Sequence, residues 1–250
     1  MNGFRLNSSR LNNSLPEGYV DQDSGRWRVV AARLELAEMT QLLEAVRDGA
    51  EPGVEVASGR GGARCVTLPG GKVVFVRQYL RGGFVRFFVR DLYLLRPPRP
   101  LIELRATEVA RAAGNHVPIV HAVAVEETGP FYRGWIVTSA IEGAQSYIDV
   151  LAGADQPARE ALLGAAGEAI RGLHDAGVFH PDLTGHNLLV DADGQVAVID
   201  FDRAVVAAEA PRLARRGMDR FWRSLCKLTR ERGETIAQSQ RRWLEQGYAR

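Results

Sequence analysis

The sequence predicts an α+β fold of two lobes, the smaller built on an antiparallel sheet and the larger mainly helical. Three observations carry this expectation. Short apolar runs broken by glycine fill residues 54–79, a pattern of strands and tight turns. Apolar residues at helical spacing dominate 158–175 and return after residue 211. Between these helical stretches, two short β-type runs flank the turn signal Asp191-Ala192-Asp193-Gly194.

The elements follow in chain order. Residues 1–25 are rich in Asn, Ser and Gly and are expected to form a flexible arm with little to bury. Residues 34–48 place Leu34, Met39, Leu42, Leu43 and Val46 at helical spacing and stop at Gly49, which predicts an amphipathic helix. Val54 to Ala57 alternates, Ser58 to Gly62 breaks the pattern, and Ala63 to Leu68 resumes it. Pro69-Gly70-Gly71 then turns the chain into a third strand, Lys72 to Tyr79. Residues 101–113 read as a helix ended by Gly114, and Trp135 to Thr138 as a strand. Ser139 to Gly143 reads as a hinge. The small lobe is therefore expected over 26–140 and the large lobe over 141–250. In the latter, Leu162, Leu163, Ala166, Ile170 and Leu173 share one face of a helix closed by Gly177. The last 48 residues read mostly as helix, over 212–230 and 235–248.

Residues His180 to Asp202 read HPDLTGHNLLVDADGQVAVIDFD and carry the chemistry. Asp182, Asn187 and Asp200 stand in the order H-x-D-L-x3-N and D-F-D, the spacing of a kinase catalytic loop followed by its metal-binding turn. Phosphoryl transfer to an alcohol needs these types. A carboxylate accepts the proton of the attacking hydroxyl, which is the role expected of Asp182. A neutral amide oxygen and a second carboxylate, Asn187 and Asp200, hold the magnesium ions that screen the triphosphate of ATP. The hairpin 188–199 carries Asn187 at one end and Asp200 at the other. His180 is expected to brace the loop, and His174 and His186 to be satisfied local histidines.

With that loop downstream, the glycines of the first turn, Gly59, Gly61 and Gly62, take on the reading of a phosphate-covering loop, whose backbone N–H groups approach the phosphates with no Cβ in the way. Arg77, near the end of the third strand, stands where kinases usually keep the lysine that contacts the α- and β-phosphates. Lys72 is the competitor; it opens the same strand on the opposite face and reads as a solvated turn residue. The helix 101–113 occupies the place of the one whose Glu braces that cation. Glu103 is the first choice and Glu108 the second, against the reading of either as a solvated carboxylate. Adenine would pair with the backbone of the hinge.

Four phrases extend the match. They are Val76-Arg77-Gln78-Tyr79-Leu80-Arg81-Gly82-Gly83, then Leu173 to Leu183 (LHDAGVFHPDL), then Ile199-Asp200-Phe201-Asp202-Arg203, and Arg223-Ser224-Leu225-Cys226-Lys227. In order, from about residue 16 to the C-terminus, the chain resembles the 3-deoxy-D-manno-octulosonic acid (Kdo) kinases of the lipopolysaccharide kinase group. The family usually reads H-A-D-L-N-A-H-N where this chain reads H-P-D-L-T-G-H-N, so Pro181, Thr184 and Gly185 depart from the pattern without removing an acidic or amide group. The resemblance implies a protein-kinase-like fold, ATP and Mg2+ as cofactors, and phosphorylation of the 4-hydroxyl of Kdo on a Kdo-lipid A precursor at the cytoplasmic face of the inner membrane.

Composition agrees with an ordinary globular chain, at 46% apolar and 25% charged residues with a net charge of +2. No apolar run reaches the roughly 18 residues of a membrane span, and the polar N-terminus lacks a signal-peptide core. Cys65 and Cys226 suggest neither a disulfide framework nor a metal site. A cytoplasmic location follows as the expectation. Basic residues crowd 77–99 and 212–230, leaving surfaces that favour an anionic partner; the anionic membrane surface and the acceptor are expected there, and a nucleic-acid partner is not. Of the 32 basic residues all but Lys72 and Lys227 are arginine, which genomic base composition explains better than a selected preference does. The segment 81–96, where aromatics interleave with Arg, reads equally as a membrane or acceptor surface and as a core-packing helix with a basic outer face.

Four rival readings fit parts of the motif. A protein kinase would need a longer helical lobe after an activation segment ending A-P-E, whereas this chain runs from Asp202 to Glu209-Ala210-Pro211 with few residues left. Other small-molecule kinases fit the loop but not the Arg-Gly-Gly segment. A metal hydrolase using His174, His180, Asp182 and His186 leaves Asn187 and D-F-D unexplained, and a non-catalytic nucleotide-binding module leaves the intact Asp182, Asn187 and Asp200 unexplained.

Overall fold

The computed structural model describes residues 15–56, 63–80, 91–94 and 98–250. The chain divides into two compact units, one of residues 1–105 and 119–140, the other of residues 106–118 and 141–250. The architecture is the expected α+β one, a sheet unit and a mainly helical unit.

The sheet unit is built on one antiparallel sheet. Its strands are β1 (Tyr19–Asp23), β2 (Trp27–Ala32), β3 (Val54–Val56), β4 (Ala63–Thr67), β5 (Val73–Gln78), β6 (Tyr93–Leu94), β7 (Val120–Thr128) and β8 (Phe131–Ser139). The order across it is β1-β2-β7-β8-β5-β4-β3, with β6 also on β8. Residues 19–23 therefore depart from the expected loose arm: Tyr19 to Asp23 pairs with Ala32 to Arg28. The partner strand, with its run Trp27-Arg28-Val29-Val30, supplies the burial that the arm's own sequence lacks.

Alternation separates the two faces of the sheet. On one, Val29, Val74, Val76, Ala122 and Trp135 pack with Met39 and Leu43 of helix α1 (Leu36–Arg47). On the other, Val30, Tyr79, Val123, Tyr132 and Ile136 pack with Leu104 of helix α2 (Arg99–Ala112). Residues 74 and 76 thus face α1, while 77 and 79 lie on the side of α2.

In the helical unit, β9 (Gln145–Ser146), α3 (Tyr147–Gly153), α4 (Gln156–Asp175), β10 (Val178–Phe179), β11 (Leu188–Val190), β12 (Val196–Val198), β13 (Val205–Val206), α5 (Pro211–Arg230) and α6 (Arg241–Tyr248) follow in order. Helix α4 starts where Asp155 caps it, its side chain accepting from the Ala158 N–H at 2.9 Å, with a proline in the first turn. It closes at Gly177, whose φ of +71° suits glycine. Leu163, Ala166, Ile170 and Leu173 of α4 join Phe221, Trp222 and Leu225 of α5 and Leu244 of α6 in a single core.

Helices α4 and α6 meet backbone to backbone. A Cβ on Gly247 would lie 2.0 Å from the Gly164 carbonyl oxygen, and one on Gly167 would lie 2.2 Å from that of Leu244. Gly247→Ala is therefore expected to lower stability by about 1–3 kcal/mol, as overpacking does. Gly164→Ala, whose Cβ would meet nothing within 4 Å, is expected to gain up to about 1 kcal/mol of helix propensity. Denaturant midpoints moving in opposite directions for the two variants, at unchanged slope, are the outcome that checks this.

Candidate active site

In the helical unit the site is built around the hairpin β11–β12, which pairs Leu188 with Val198 and Val190 with Val196. Its turn is pinned by Asp191, whose Oδ1 accepts from the Asp193 and Gln195 N–H groups at 3.0 and 2.8 Å, and by Gly194 at φ +78°. At the open end the Ile199 N–H donates to the Asn187 carbonyl at 2.8 Å. That bond ties together the two segments that carry Asn187 and Asp200.

Asp200 is the one non-glycine residue with positive φ among the described residues, at +66°. Asp tolerates this region better than most side chains, but the conformation still carries a cost and must be held. His180 holds it: Nε2 donates to the Asp200 carbonyl at 2.8 Å, which fixes the proton on Nε2. Burial pushes the His180 pKa down, so the ring stays neutral and Nδ1 is a bare acceptor, with no hydrogen-bond partner among the described residues. The bracing read for His180 thus has a definite geometry, a bond from the loop to the Asp200 backbone.

Asn187 closes a single 3-10 turn, Gly185–Asn187. Its Oδ1 accepts from the Thr184 N–H at 2.9 Å and the Thr184 hydroxyl at 2.6 Å. Gly185 has a packing reason: a Cβ there would lie 2.3 Å from Ile148 Cδ1. Beside the loop, a Cβ on Gly217 of α5 would already be 3.1 Å from the His180 carbonyl, so glycine admits the close approach.

Asp182 is flanked by two arginines that sequence reasoning did not attach to it. Arg203 Nη1 donates to Oδ2 at 2.6 Å, and Arg220 Nε lies 3.5 Å from Oδ1. Burial raises the Asp182 pKa, but the Arg203 hydrogen bond and both positive charges outweigh it and hold the carboxyl below its ordinary value. The two arginines stood in view, one directly after D-F-D and one in the basic run of α5; only the fold shows where they point.

His174 is a satisfied local histidine, as read. Nδ1 lies 2.8 Å from the Tyr248 hydroxyl, the ring stacks on Phe179, and burial lowers its pKa to about 4. No group of three or more His, Cys, Asp or Glu able to hold a metal occurs among the described residues. Asp200 and Asn187 supply a carboxylate and a carboxamide oxygen, hard ligand types of the kind Mg2+ takes beside substrate phosphates, from segments joined at the hairpin's end. Asn187 would have to release the Thr184 hydroxyl to bind the ion.

In the sheet unit, Arg77 of β5 and Glu103 of α2 meet. Arg77 Nη2 donates to both Glu103 oxygens, each at 2.8 Å. The Tyr79 hydroxyl donates to the same carboxylate, and the Arg77 guanidinium lies 4.9 Å over the Tyr79 ring. Glu108, the alternative, binds Arg111 instead. Lys72 differs from the solvated turn residue it was read as: Nζ bonds Glu35 at 2.5 Å and lies 3.1 Å from His121 Nδ1, on the α1 side of the sheet. The strand's alternation separates it from Arg77, as expected. The glycines Gly59, Gly61 and Gly62, most of the segment 81–96 with its arginines, and residues 1–14 of the arm lie outside the described residues.

If Arg77 is the phosphate-contacting cation, Arg77→Ala weakens ATP binding while Lys72→Ala leaves it near wild type. ATP titrations of the two variants side by side check this, and loss in Lys72→Ala alone would transfer the role.

Comparison with known proteins places this geometry in a family. The model of the lipopolysaccharide kinase (Kdo/WaaP) family matches residues 45–248. A protein of Xanthomonas oryzae pv. oryzae (strain PXO99A), named 3-deoxy-D-manno-octulosonic acid kinase, is 38% identical over 182 residues, covering 71% of this chain and 72% of its own. One of the same name from Stenotrophomonas maltophilia (strain K279a) is 35% identical over 195 residues, 76% of each chain. Among solved structures, a MAP kinase from Leishmania major overlaps 66% of this chain and 50% of its own, with a TM-score of 0.39 at 17% identity, too distant a likeness to argue from. The chain belongs to the lipopolysaccharide kinase (Kdo/WaaP) family, a family of kinases, and its match covers the hairpin, the loop 180–187 and the Arg77–Glu103 pair alike.

Proposed function

We propose that this protein transfers the γ-phosphoryl group of ATP to the 4-hydroxyl of Kdo on a Kdo-lipid A precursor. The observation that carries the reading is the hairpin β11–β12, which fixes Asn187 and Asp200 at its joined ends, with Asp182 on the loop just before it. The family relatives named Kdo kinases supply the acceptor.

In the reaction the acceptor's hydroxyl oxygen forms a bond to the γ-phosphorus while the bond to the β–γ bridging oxygen breaks, releasing ADP. Asp182 Oδ takes the hydroxyl proton. Asp200 and Asn187 are the residues that would hold Mg2+, which when bound neutralises charge on the triphosphate. His180 keeps the Asp200 turn in its high-energy backbone shape, so the carboxylate is aimed before nucleotide arrives. Arg77, braced by Glu103 and Tyr79, would face the α- and β-phosphates, and Gly59, Gly61 and Gly62 would cover them.

Among the described residues no helix is long and apolar enough to cross a membrane. A lipid-borne acceptor therefore calls for approach from a bilayer surface, and the arginines of α5 and of 77–99 suit an anionic one at the cytoplasmic face of the inner membrane. The experiment that tests the function is ATP consumption in the presence and absence of a Kdo-bearing lipid A precursor. Consumption that depends on the lipid supports it. Equal consumption with a protein acceptor, or none in either case, would overturn it.

A further inference from the structure

The geometry points to Arg203 and Arg220 as a subsite for the carboxylate of the acceptor sugar, one that engages Asp182 until that carboxylate draws the guanidiniums away. The inference rests on the proposed function and deepens it. Asp182 is the group that must accept a proton, yet Oδ2 takes a hydrogen bond from Arg203 at 2.6 Å and Oδ1 faces Arg220 Nε at 3.5 Å. A carboxylate held by two guanidiniums is a poor base, because each positive charge favours its unprotonated form. The pairing makes sense if it is exchanged when substrate binds.

Three features support an exchange. The arginine side chains are 55% and 44% exposed, whereas Asp182 is 24% exposed, so the guanidiniums extend beyond the carboxylate toward solvent. A guanidinium has five N–H donors, more than one carboxylate accepts, so it can hold a second anion bidentately. The two come from different elements, Arg203 from the loop after the D-F-D turn and Arg220 from the middle of α5. Helix α5 is itself fixed by buried Phe221 and Trp222, so Arg220 is a positioned charge on a rigid base. The 3.5 Å contact of Arg220 is the looser of the two and the more readily redirected.

A sugar acid presents its hydroxyls and its carboxylate on one ring. An anion subsite beside Asp182 therefore orients the ring and relieves the base in the same event. The lipid phosphates are a second source of negative charge on the same acceptor, but they lie outside the reacting ring.

The test compares kcat and KM for four acceptors: the carboxylate form, its carboxyl methyl ester, and the dephosphorylated lipid forms of both. Wild type, Arg203→Gln, Arg220→Gln and Arg220→Lys are measured, with thermal melts to confirm folding. Wild type is expected to prefer carboxylate over ester by about 10- to 100-fold in kcat/KM, the scale of charge-assisted hydrogen bonds. Arg220→Gln and Arg203→Gln should bring that ratio to within about threefold of one, through the acceptor KM, with the ATP KM unchanged; Arg220→Lys should restore part of it. Removing the lipid phosphates should leave the ratios as they were. Variants that slow both acceptors equally and keep the ratio would reduce the arginines to a structural clamp. A loss that follows the lipid phosphates would also overturn the subsite. Wild type that phosphorylates no Kdo acceptor at all would remove the proposed function and the subsite with it, whereas normal phosphorylation with unchanged ratios removes the subsite alone.

Discussion

Asp182→Asn is expected to lower turnover by about 10² or more while leaving ATP binding close to wild type. The substitution keeps the shape of the side chain and removes its capacity to take a proton. It also removes the negative charge that Arg203 and Arg220 pair with, but both arginines are exposed enough to find water, so the loop is not left with a buried uncompensated charge. The residues assigned to the nucleotide and metal, Asn187, Asp200 and Arg77, keep their own anchors in Thr184, His180 and Glu103. Loss of rate without loss of binding is thus the signature. Steady-state rates together with an ATP titration of the variant read it, and near-normal turnover would remove Asp182 from the role of base.

Asp200→Ala is expected to cost both rate and Mg-dependent ATP binding, because a metal ligand supports the ground-state phosphates as well as the transition state. The backbone complicates this variant. At φ +66° alanine sits less easily than Asp, at a cost of about 1–2 kcal/mol. Asp200→Asn is the better-matched partner, since Asn accepts the left-handed region and the His180 bond goes to the backbone carbonyl, which both variants keep. Both should require far more magnesium for ATP binding, with Asp200→Asn retaining wild-type thermal stability. Magnesium titrations indistinguishable from wild type would dissociate the D-F-D turn from the metal.

Much of this was legible in the sequence, for local reasons. The hairpin 188–199 fell at the residues expected because its two apolar runs and its Asp-Gly turn are adjacent in the chain, and the turn's hydrogen bonds are made by its own Asp191. Helix 158–175 carried an apolar stripe and a closing glycine, and its observed start at Gln156 differs by two residues. What escaped notice lacks an apolar pattern of its own. The strand Tyr19–Asp23 is polar at an edge and exists because Trp27–Ala32 pairs with it, which in turn pairs with β7. The short pieces β9, β10 and β13 are two residues each and carry no periodicity.

The site divides along the same line. Asp182, Asn187 and Asp200 were readable because spacing alone defines their motif. Which Glu of α2 meets Arg77 was not, since Glu103 and Glu108 share one helix and only the contact separates them, Glu103 with Arg77 and Glu108 with Arg111. The arginines on Asp182 and the Lys72–Glu35–His121 cluster had no local signal at all, being assembled from separate elements. Arg77 was visible in the sequence as the proposed phosphate-contacting cation, and its contact with Glu103 is made in the structure.

The most direct measurement of the central claim is the position of new phosphate on the lipid after incubation with Mg-ATP and a Kdo-bearing lipid A precursor. Mass spectrometry with fragmentation is expected to find one added phosphate, on the Kdo residue at its 4-hydroxyl, in wild type and almost none in Asp182→Asn. Phosphate on the lipid A disaccharide, on the protein itself, or in equal amount with the Asp182→Asn variant would contradict it.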